Sequence, residues 1–139
     1  SGKTRICVAG FGLSHHTGRA RRIADAIVQV YPETYETWYY FSTSGFRPDF
    51  LNSVKESLSN KSKFESHTSS PFCWMELSDG TKTGIGGRDY LCDWVLENFD
   101  VNDDKNEPFV SLAKDVPTRT RKEVFFDSKT PGTAKTSEE

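Results

Sequence analysis

The residues whose types suggest chemistry are concentrated in one short segment, residues 10–19 (Gly-Phe-Gly-Leu-Ser-His-His-Thr-Gly-Arg). An apolar run precedes this segment and an amphipathic stretch with helical spacing follows it, so the pattern predicts a strand, a turn and a helix. In α/β proteins, ligands bind at the carboxyl ends of such strands. The first N–H groups of the helix are unpaired and favour an anion. This turn is therefore the first candidate site.

Known enzyme motifs fit the turn poorly. Gly10 and Gly12 resemble the start of a dinucleotide-binding fingerprint, but His15 stands where its third small residue is needed. The chain has no phosphate-binding loop of the form G-x-x-x-x-G-K-S/T. Ser14 lacks the flanking glycines of a serine nucleophile elbow. A dinucleotide site is therefore disfavoured, and the other two motifs are absent.

The histidines and cysteines do not predict a metal site. His15 and His16 are adjacent, and we expect their side chains to point apart, so that even with His67 no chelating spacing results. The chain has three widely spaced cysteines, Cys7, Cys73 and Cys92. Their number is odd and no C-x-x-C motif is present, so neither a disulfide framework nor a cysteine-rich zinc site is expected.

Three arginines lie near the start of the predicted helix. Arg19, Arg21 and Arg22 oppose the helix dipole there, by a few tenths of a kcal/mol each. They either strengthen an anion site or form a solvated basic face, and we favour the solvated face.

Composition limits the classes of partner. The chain of 139 residues has 18 Lys and Arg against 20 Asp and Glu, a formal charge of −2, which argues against a broadly basic nucleic-acid surface. No apolar run approaches the roughly 18 residues of a membrane span, and no signal peptide is recognisable. We therefore expect a cytoplasmic protein without a nucleic-acid or membrane partner.

Periodicity predicts an α/β domain with the order β-α-β-α-β-β-α. The predicted strands are residues 5–11, 36–41, 72–77 and 81–85, and the predicted helices are residues 17–31, a segment from Pro48 to Leu58, and a segment after Gly87. A strand, a helix and a strand imply a parallel pair, and the later hairpin adds an antiparallel edge. Residues 100–139 are expected to be a polar, largely disordered tail or linker, in which residues 109–110 or 124–126 are candidates for docking.

These elements resemble the glutaredoxin branch of the thioredoxin fold. Residues 14–17 (Ser-His-His-Thr) stand where that family has Cys-Pro-Tyr-Cys, and residues 69–71 (Ser-Ser-Pro) look like its Thr-Val-Pro segment, whose proline is cis. Residues 85–91 (Ile-Gly-Gly-Arg-Asp-Tyr-Leu) look like the Ile-Gly-Gly-Cys-Asp-Asp-Leu run that opens the last helix. The resemblance implies a glutaredoxin-like domain over residues 1–99, with a four-stranded mixed sheet and flanking helices.

One departure from the family pattern determines the expected activity. Ser14 and Thr17 occupy the positions of the two family cysteines, and a hydroxyl group does not carry out thiol–disulfide exchange. Cys7 and Cys73 fall in predicted buried strands and Cys92 in the last helix, so no other thiol replaces them. We expect a redox-inactive module with no catalytic residue.

The resemblance also implies where a ligand binds. In the family, the residue before the cis-proline pairs its backbone with glutathione, and the helix start after Gly-Gly holds the γ-glutamyl carboxylate. The lysine that usually precedes the thiol motif is Phe11 here. The expected groove is formed by Phe11, Ser14, His15, His16, Thr17, Ser70, Pro71, Gly87, Arg88 and Asp89. Its expected ligand is a peptide, a partner protein or a glutathione-like anion, with no cofactor other than glutathione.

A finer resemblance and two alternatives complete the sequence interpretation. Residues 70–77 (Ser-Pro-Phe-Cys-Trp-Met-Glu-Leu) are similar to the N-terminal region of the malate-dehydrogenase-like 1B family, which implies a front module of a longer protein. One alternative is a glutathione-dependent enzyme of transferase type, in which the Ser14 hydroxyl group hydrogen-bonds the glutathione thiolate. The other is a structural or dimerisation module.

Overall fold

A computed structural model describes residues 2–115 of the chain and contains one four-stranded mixed sheet. Its strands are β1 (Thr4–Gly10), β2 (Tyr35–Phe41), β3 (Phe72–Glu76) and β4 (Lys82–Gly86). They lie in the order β2-β1-β3-β4, with β1 and β2 parallel and the other two pairs antiparallel. The predicted parallel pair and hairpin are both confirmed.

In the described part of the chain, four α-helices flank the sheet. They are α1 (His15–Val30), α2 (Leu51–Glu56), α3 (Arg88–Asn98) and α4 (Glu107–Lys114). The architecture is α/β and compatible with a thioredoxin-like fold, as the sequence implied. Within residues 2–115, no helix combines the length and the apolar character needed to cross a membrane.

The hairpin between β3 and β4 shows how local chemistry determines a turn. Gly80 adopts a φ of +92°, which a residue with a side chain rarely adopts. The Asp79 carboxylate accepts a hydrogen bond from the Thr81 N–H at 2.9 Å, and the Leu77 N–H donates to the Thr81 carbonyl at 2.8 Å. The predicted Asp-Gly turn is therefore present, with β4 one residue later than expected.

The segment before α2 differs from the prediction. Pro48 was expected to begin this helix, but residues Phe46–Phe50 form an irregular turn with a kink at Arg47, and the regular helix α2 begins at Leu51. Arg47 has extended backbone angles (φ −140°, ψ 152°), because a residue that precedes proline is disfavoured from the helical region. The regular helix is consequently shorter than the predicted segment from Pro48 to Leu58.

One face of the sheet is covered by α1, α3 and α4, which together enclose the larger core. Alternate residues of β1 and β2 enter this core, including the fully buried Val8 and Tyr39. Ile23 and Ile27 of α1 and Leu91 of α3 pack against them with no exposed surface. The predicted apolar stripes of these two helices are therefore the buried ones.

Helix α4 extends the folded unit beyond the expected boundary at residue 99. Phe109 is completely buried, and Val110 and Ala113 nearly so, in the core shared with α1 and α3. The prediction of a polar tail from residue 100 is therefore wrong for α4, since a short amphipathic helix is stabilised there by tertiary packing. Residues 109–110 do dock, whereas residues 124–126 lie outside the described residues.

Arg19 attaches α4 to α1. Its side chain is 1% exposed, and its Nη1 donates to the Leu112 carbonyl at 2.8 Å and to the Asp115 carbonyl at 2.7 Å. These carbonyls belong to the last turn of α4, which attracts a cation. The prediction of a solvated basic face is therefore wrong for Arg19, which is a buried structural contact.

Candidate functional site

The hydroxyl residues of the first turn are connected to the proline segment. The Phe11 N–H donates to the Ser70 Oγ at 2.8 Å, and the Ser70 Oγ lies 3.1 Å from the Thr17 Oγ1. Thr17 has no exposed surface, so it lies beneath the expected groove and supports it from below. The Ser70–Pro71 peptide bond is cis, as the resemblance implied.

Gly10 allows this close approach. A Cβ atom at Gly10 would lie 2.5 Å from the Ser70 Oγ, 2.8 Å from the Thr17 Oγ1 and 3.1 Å from the Pro71 Cα. Separations below 3.0 Å are not tolerated without movement of a neighbour. The glycine at the end of β1 is therefore needed for packing against the proline segment, and no role in binding a phosphate group is required to explain it.

Ser14 begins α1. Its backbone is extended, and its Oγ accepts a hydrogen bond from the Thr17 N–H at 3.4 Å, which is an N-cap interaction. Beside it, Leu13 is 62% exposed at the tip of the turn. A serine at this position is explained by helix capping.

The two histidines of the turn lie against each other. The ring centroids of His15 and His16 are 4.0 Å apart, so the expectation that the side chains point apart is wrong. Both residues belong to the first turn of α1, where no preceding turn of helix restricts their side chains. Among residues 2–115, no three His, Cys, Asp or Glu side chains are grouped as metal ligands would be.

A cleft of about 260 Å³ separates the proline segment from the start of α3. We name it the proline cleft, and its lining residues are His16, His67, Ser69, Ser70, Pro71, Gly87, Arg88, Asp89 and Tyr90. Six of the ten residues expected in the groove are thus brought together here. The other four, Phe11, Ser14, His15 and Thr17, are outside its walls.

The start of α3 supplies the polar character of the proline cleft. Its N-cap residue is Gly87, which has no side chain to pair with the first N–H groups of the helix. Arg88 follows, with a side chain that is 10% exposed. Its Nε and Nη2 donate to the Asp89 Oδ1 at 3.0 and 2.7 Å. The arginine is therefore held in place by a carboxylate that is itself 74% exposed.

His67 was considered in the sequence only as a metal ligand, yet it lines the proline cleft. Its Nε2 lies 2.8 Å from the Ser69 carbonyl, and its ring packs edge-on against Phe72 at 4.9 Å. Burial lowers the pKa of His67 below its ordinary value. The only feature of the sequence that indicated a place for His67 in the site is that it lies four residues before Pro71.

A second cleft of about 470 Å³ adjoins the proline cleft. We name it the tyrosine cleft, because Tyr90, which is 65% exposed, lines both clefts. His67 and Ser69 are also shared, and Lys63, Phe64 and Ile85 lie on the far side. The two clefts together form one extended groove. Tyr90 was not expected as a site residue, although it follows Asp89 directly in the first turn of α3.

Phe11 lies beside a cation. Its ring packs edge-on against Phe46 at 5.6 Å, and the Arg47 guanidinium carbon lies 4.9 Å from the ring centroid. The Arg47 Nη1 also donates to the Thr68 carbonyl at 2.6 Å. A positive charge is therefore present near the proline segment, although the family lysine is absent.

None of the cysteines lines either cleft. Cys7, Cys73 and Cys92 are free and buried. Burial raises the pKa of each thiol above its ordinary value, so the thiols stay protonated and are poor nucleophiles.

Comparison of the sequence with models of known protein families gives no match. Comparison with curated proteins also gives none. The glutaredoxin-like and malate-dehydrogenase-like relationships therefore remain predictions, based on the local motifs quoted above.

Proposed function

We propose that this protein is a redox-inactive glutaredoxin-like module that binds an extended peptide segment of a partner, or a glutathione-like anion, in the groove formed by the two clefts. The observation that carries the proposal is the proline cleft. It lies between Ser70–Pro71 and the uncapped start of α3, where the family resemblance places its ligand.

The chemistry of the proline cleft favours a carboxylate. The first N–H groups of α3 carry a partial positive charge, and Arg88 adds a full charge beside them. Asp89 competes for the same arginine, since its Oδ1 accepts both hydrogen bonds. A ligand carboxylate therefore has to displace or share this pair, which predicts modest affinity.

The tyrosine cleft favours a ligand longer than a single anion. It continues the groove past Tyr90 and presents apolar surface from Phe64 and Ile85 beside polar groups. Alternating apolar and hydrogen-bonding surface suits an extended peptide. The groove therefore fits a partner segment that places a carboxylate in the proline cleft and an apolar side chain in the tyrosine cleft.

The residues at the turn support the proposal of a redox-inactive module. Ser14 caps α1 and Thr17 is buried, and neither side chain forms a disulfide. We further propose a cytoplasmic module that precedes a dehydrogenase-like domain, on the basis of the malate-dehydrogenase-like resemblance alone.

Calorimetry with reduced glutathione and S-methylglutathione tests this function. Equal affinities are expected, because no thiol chemistry contributes. Arg88→Glu should weaken both about tenfold, the loss expected for a charge-assisted contact. Arg22→Glu makes the same charge change on the exposed side of α1 and should leave both affinities unchanged. Absence of binding of either ligand, or an equal loss in the two variants, would count against the groove.

A further inference from the structure

One wall of the tyrosine cleft is a short segment held against the edge strand β4. The Asn60 Nδ2 donates to the Gly84 carbonyl at 3.1 Å, and the Asn60 Oδ1 accepts from the Gly84 N–H at 2.8 Å. A 3₁₀-helical turn, Lys61–Phe64, follows Asn60 directly. A Cβ atom at Gly84 would lie 2.6 Å from the Phe64 Cε2, so the phenyl ring packs directly on the strand. This wall is therefore anchored to the sheet by contacts within the fold.

Two lysines of this region are engaged in contacts of the fold itself. The Lys55 Nζ donates to the Glu65 carbonyl at 3.2 Å and to the His67 carbonyl at 2.7 Å, which fixes the other end of the segment. The Lys61 Nζ pairs with the Glu56 carboxylate at 2.7 Å. Neither lysine lines the tyrosine cleft.

Lys63 differs from these two lysines. It is exposed and lines the tyrosine cleft, and in the described part of the chain it forms no ion pair. Among residues 2–115, no acidic residue lines this cleft. His67 lines it too, but burial lowers the pKa of its imidazole, which is therefore neutral at mildly alkaline pH. The charge that remains in the tyrosine cleft is the ammonium group of Lys63.

The proline cleft has a different charge balance. Its arginine, Arg88, is paired with Asp89 at 2.7 Å, so a ligand carboxylate competes with a carboxylate already present. Within the described lining of the tyrosine cleft, Lys63 has no such competitor. Hydroxyl groups can also donate hydrogen bonds to carboxylate oxygens, and three hydroxyl residues line the tyrosine cleft, namely Ser66, Thr68 and Ser69. Charge complementarity therefore favours an anionic group there.

We propose that the tyrosine cleft binds an acidic side chain of the partner, a glutamate or an aspartate that neighbours the apolar side chain packed on Phe64 and Ile85. The volume of about 470 Å³ lies in the range of pockets that hold whole small ligands, so two side chains fit together. This inference rests on the proposed function, because the partner segment has to enter the groove. It makes the partner an acidic peptide and Lys63 the residue that determines the preference.

Two peptides test the preference, acetyl-Glu-Glu-Leu-Gly and acetyl-Gln-Gln-Leu-Gly. Both end in a free carboxylate for the proline cleft and carry the same apolar side chain, and they differ only in the charge of two side chains. In calorimetry at mildly alkaline pH and low salt, the Glu peptide should bind about twofold to fivefold more tightly, as expected for an exposed ion pair. The difference should shrink at high salt. Equal affinities of the two peptides at low salt would overturn the proposal.

Three lysine variants locate the preference. Lys63→Gln should abolish it and leave the affinity for the Gln peptide unchanged, whereas Lys63→Arg should retain it. Lys61→Gln is the matched control, because it makes the same charge change two residues away and outside the cleft. It should leave the preference intact. An equal loss in Lys63→Gln and Lys61→Gln would mean that the preference comes from the general charge of the surface, which would overturn the assignment of Lys63.

Glutathione separates this inference from the proposed function. If glutathione and both peptides bind and the Glu peptide has no advantage, the acidic side-chain site is wrong and the groove stands. If neither peptide nor glutathione binds, the groove is wrong and the inference fails with it.

Discussion

The proline cleft and the aromatic cavity are built from opposite kinds of surface. The proline cleft is formed mainly by loop residues and a helix start, and most of its lining residues are polar, among them Arg88 and Asp89. The aromatic cavity, a space of about 240 Å³ between the sheet and the segment that packs over it, is lined by three rings, those of Trp38, Phe50 and Trp74. The difference shows that one four-stranded sheet has a polar cleft at its end and an apolar cavity on its face.

The two regions also differ in how they depend on the rest of the fold. The proline cleft requires three separate segments to meet, at residues 10–17, 69–71 and 86–90. The aromatic cavity requires the four strands of the sheet and the short segment over them. Changes that disturb loop packing should therefore affect the first region and spare the second.

The largest expected effect concerns a contact remote from both regions. Arg19→Met removes the two hydrogen bonds to the last turn of α4 and should lower the free energy of unfolding by about 3 kcal/mol, because two buried carbonyls lose a charged donor. Urea denaturation measures this change, with the exposed Arg22→Met as control. Under native conditions the glutathione response of the proline cleft should persist. A loss no larger than that of Arg22→Met would contradict the assignment of Arg19 as a structural contact.

A smaller effect should separate the two regions directly. Gly10→Ala places a Cβ atom against the Ser70 Oγ and the Pro71 Cα, so the proline segment has to move. We expect a stability loss of about 1–3 kcal/mol, and a weaker glutathione response in NMR titration. The Trp74 indole resonance in ¹H–¹⁵N NMR spectra should not shift, because Trp74 lines the aromatic cavity and not the proline cleft. A shift of this resonance as large as those at the proline segment would mean that the regions are coupled.

The ion pair between Arg88 and Asp89 at the start of α3 should affect ligand affinity at the proline cleft only. Asp89→Asn frees Arg88 and removes a negative charge next to the ligand carboxylate, so glutathione affinity should rise about twofold to fivefold, as expected for a partly exposed ion pair. Calorimetry measures the change, and Asp93→Asn on the exposed part of α3 is the matched control. Weaker binding by Asp89→Asn would show that Asp89 itself contacts the ligand.

The smallest expected effect is a pH dependence of the free energy of unfolding that comes from one residue of the proline cleft, His67. Because burial lowers the pKa of His67, the unfolded chain binds a proton at this residue more readily than the folded chain does. Stability should therefore be fully present above about pH 6.5, the ordinary pKa of histidine, and should fall as the pH decreases through the lower folded value. His67→Gln should flatten this part of the stability profile measured by urea denaturation. An unchanged profile in His67→Gln would assign the dependence to other groups.

The elements that local chemistry determines were predictable from the sequence. The Asp79–Gly80 turn and the apolar stripe of α1 depend on neighbouring residues, and both are present where the sequence indicated. Helix α4 was missed because its stability comes from Phe109 in the shared core and from Arg19, which is 93 residues away from Leu112. No local pattern carries that information.

The candidate site was predictable only in part. The motif resemblance led to Ser70, Pro71 and Arg88, which do line one cleft. It could not show that Thr17 is buried, since that depends on a hydroxyl contact between distant segments. Tyr90 was missed because an exposed tyrosine on a helix has no distinguishing sequence pattern.

The most direct test of the central claim is an amide NMR titration of the wild-type protein with reduced glutathione. The account predicts saturable shifts confined to Ser70 and residues 87–89, with the Trp74 indole resonance unmoved. Absence of shifts at millimolar glutathione, or shifts spread across both faces of the sheet, would contradict the claim that the proline cleft is an anion site.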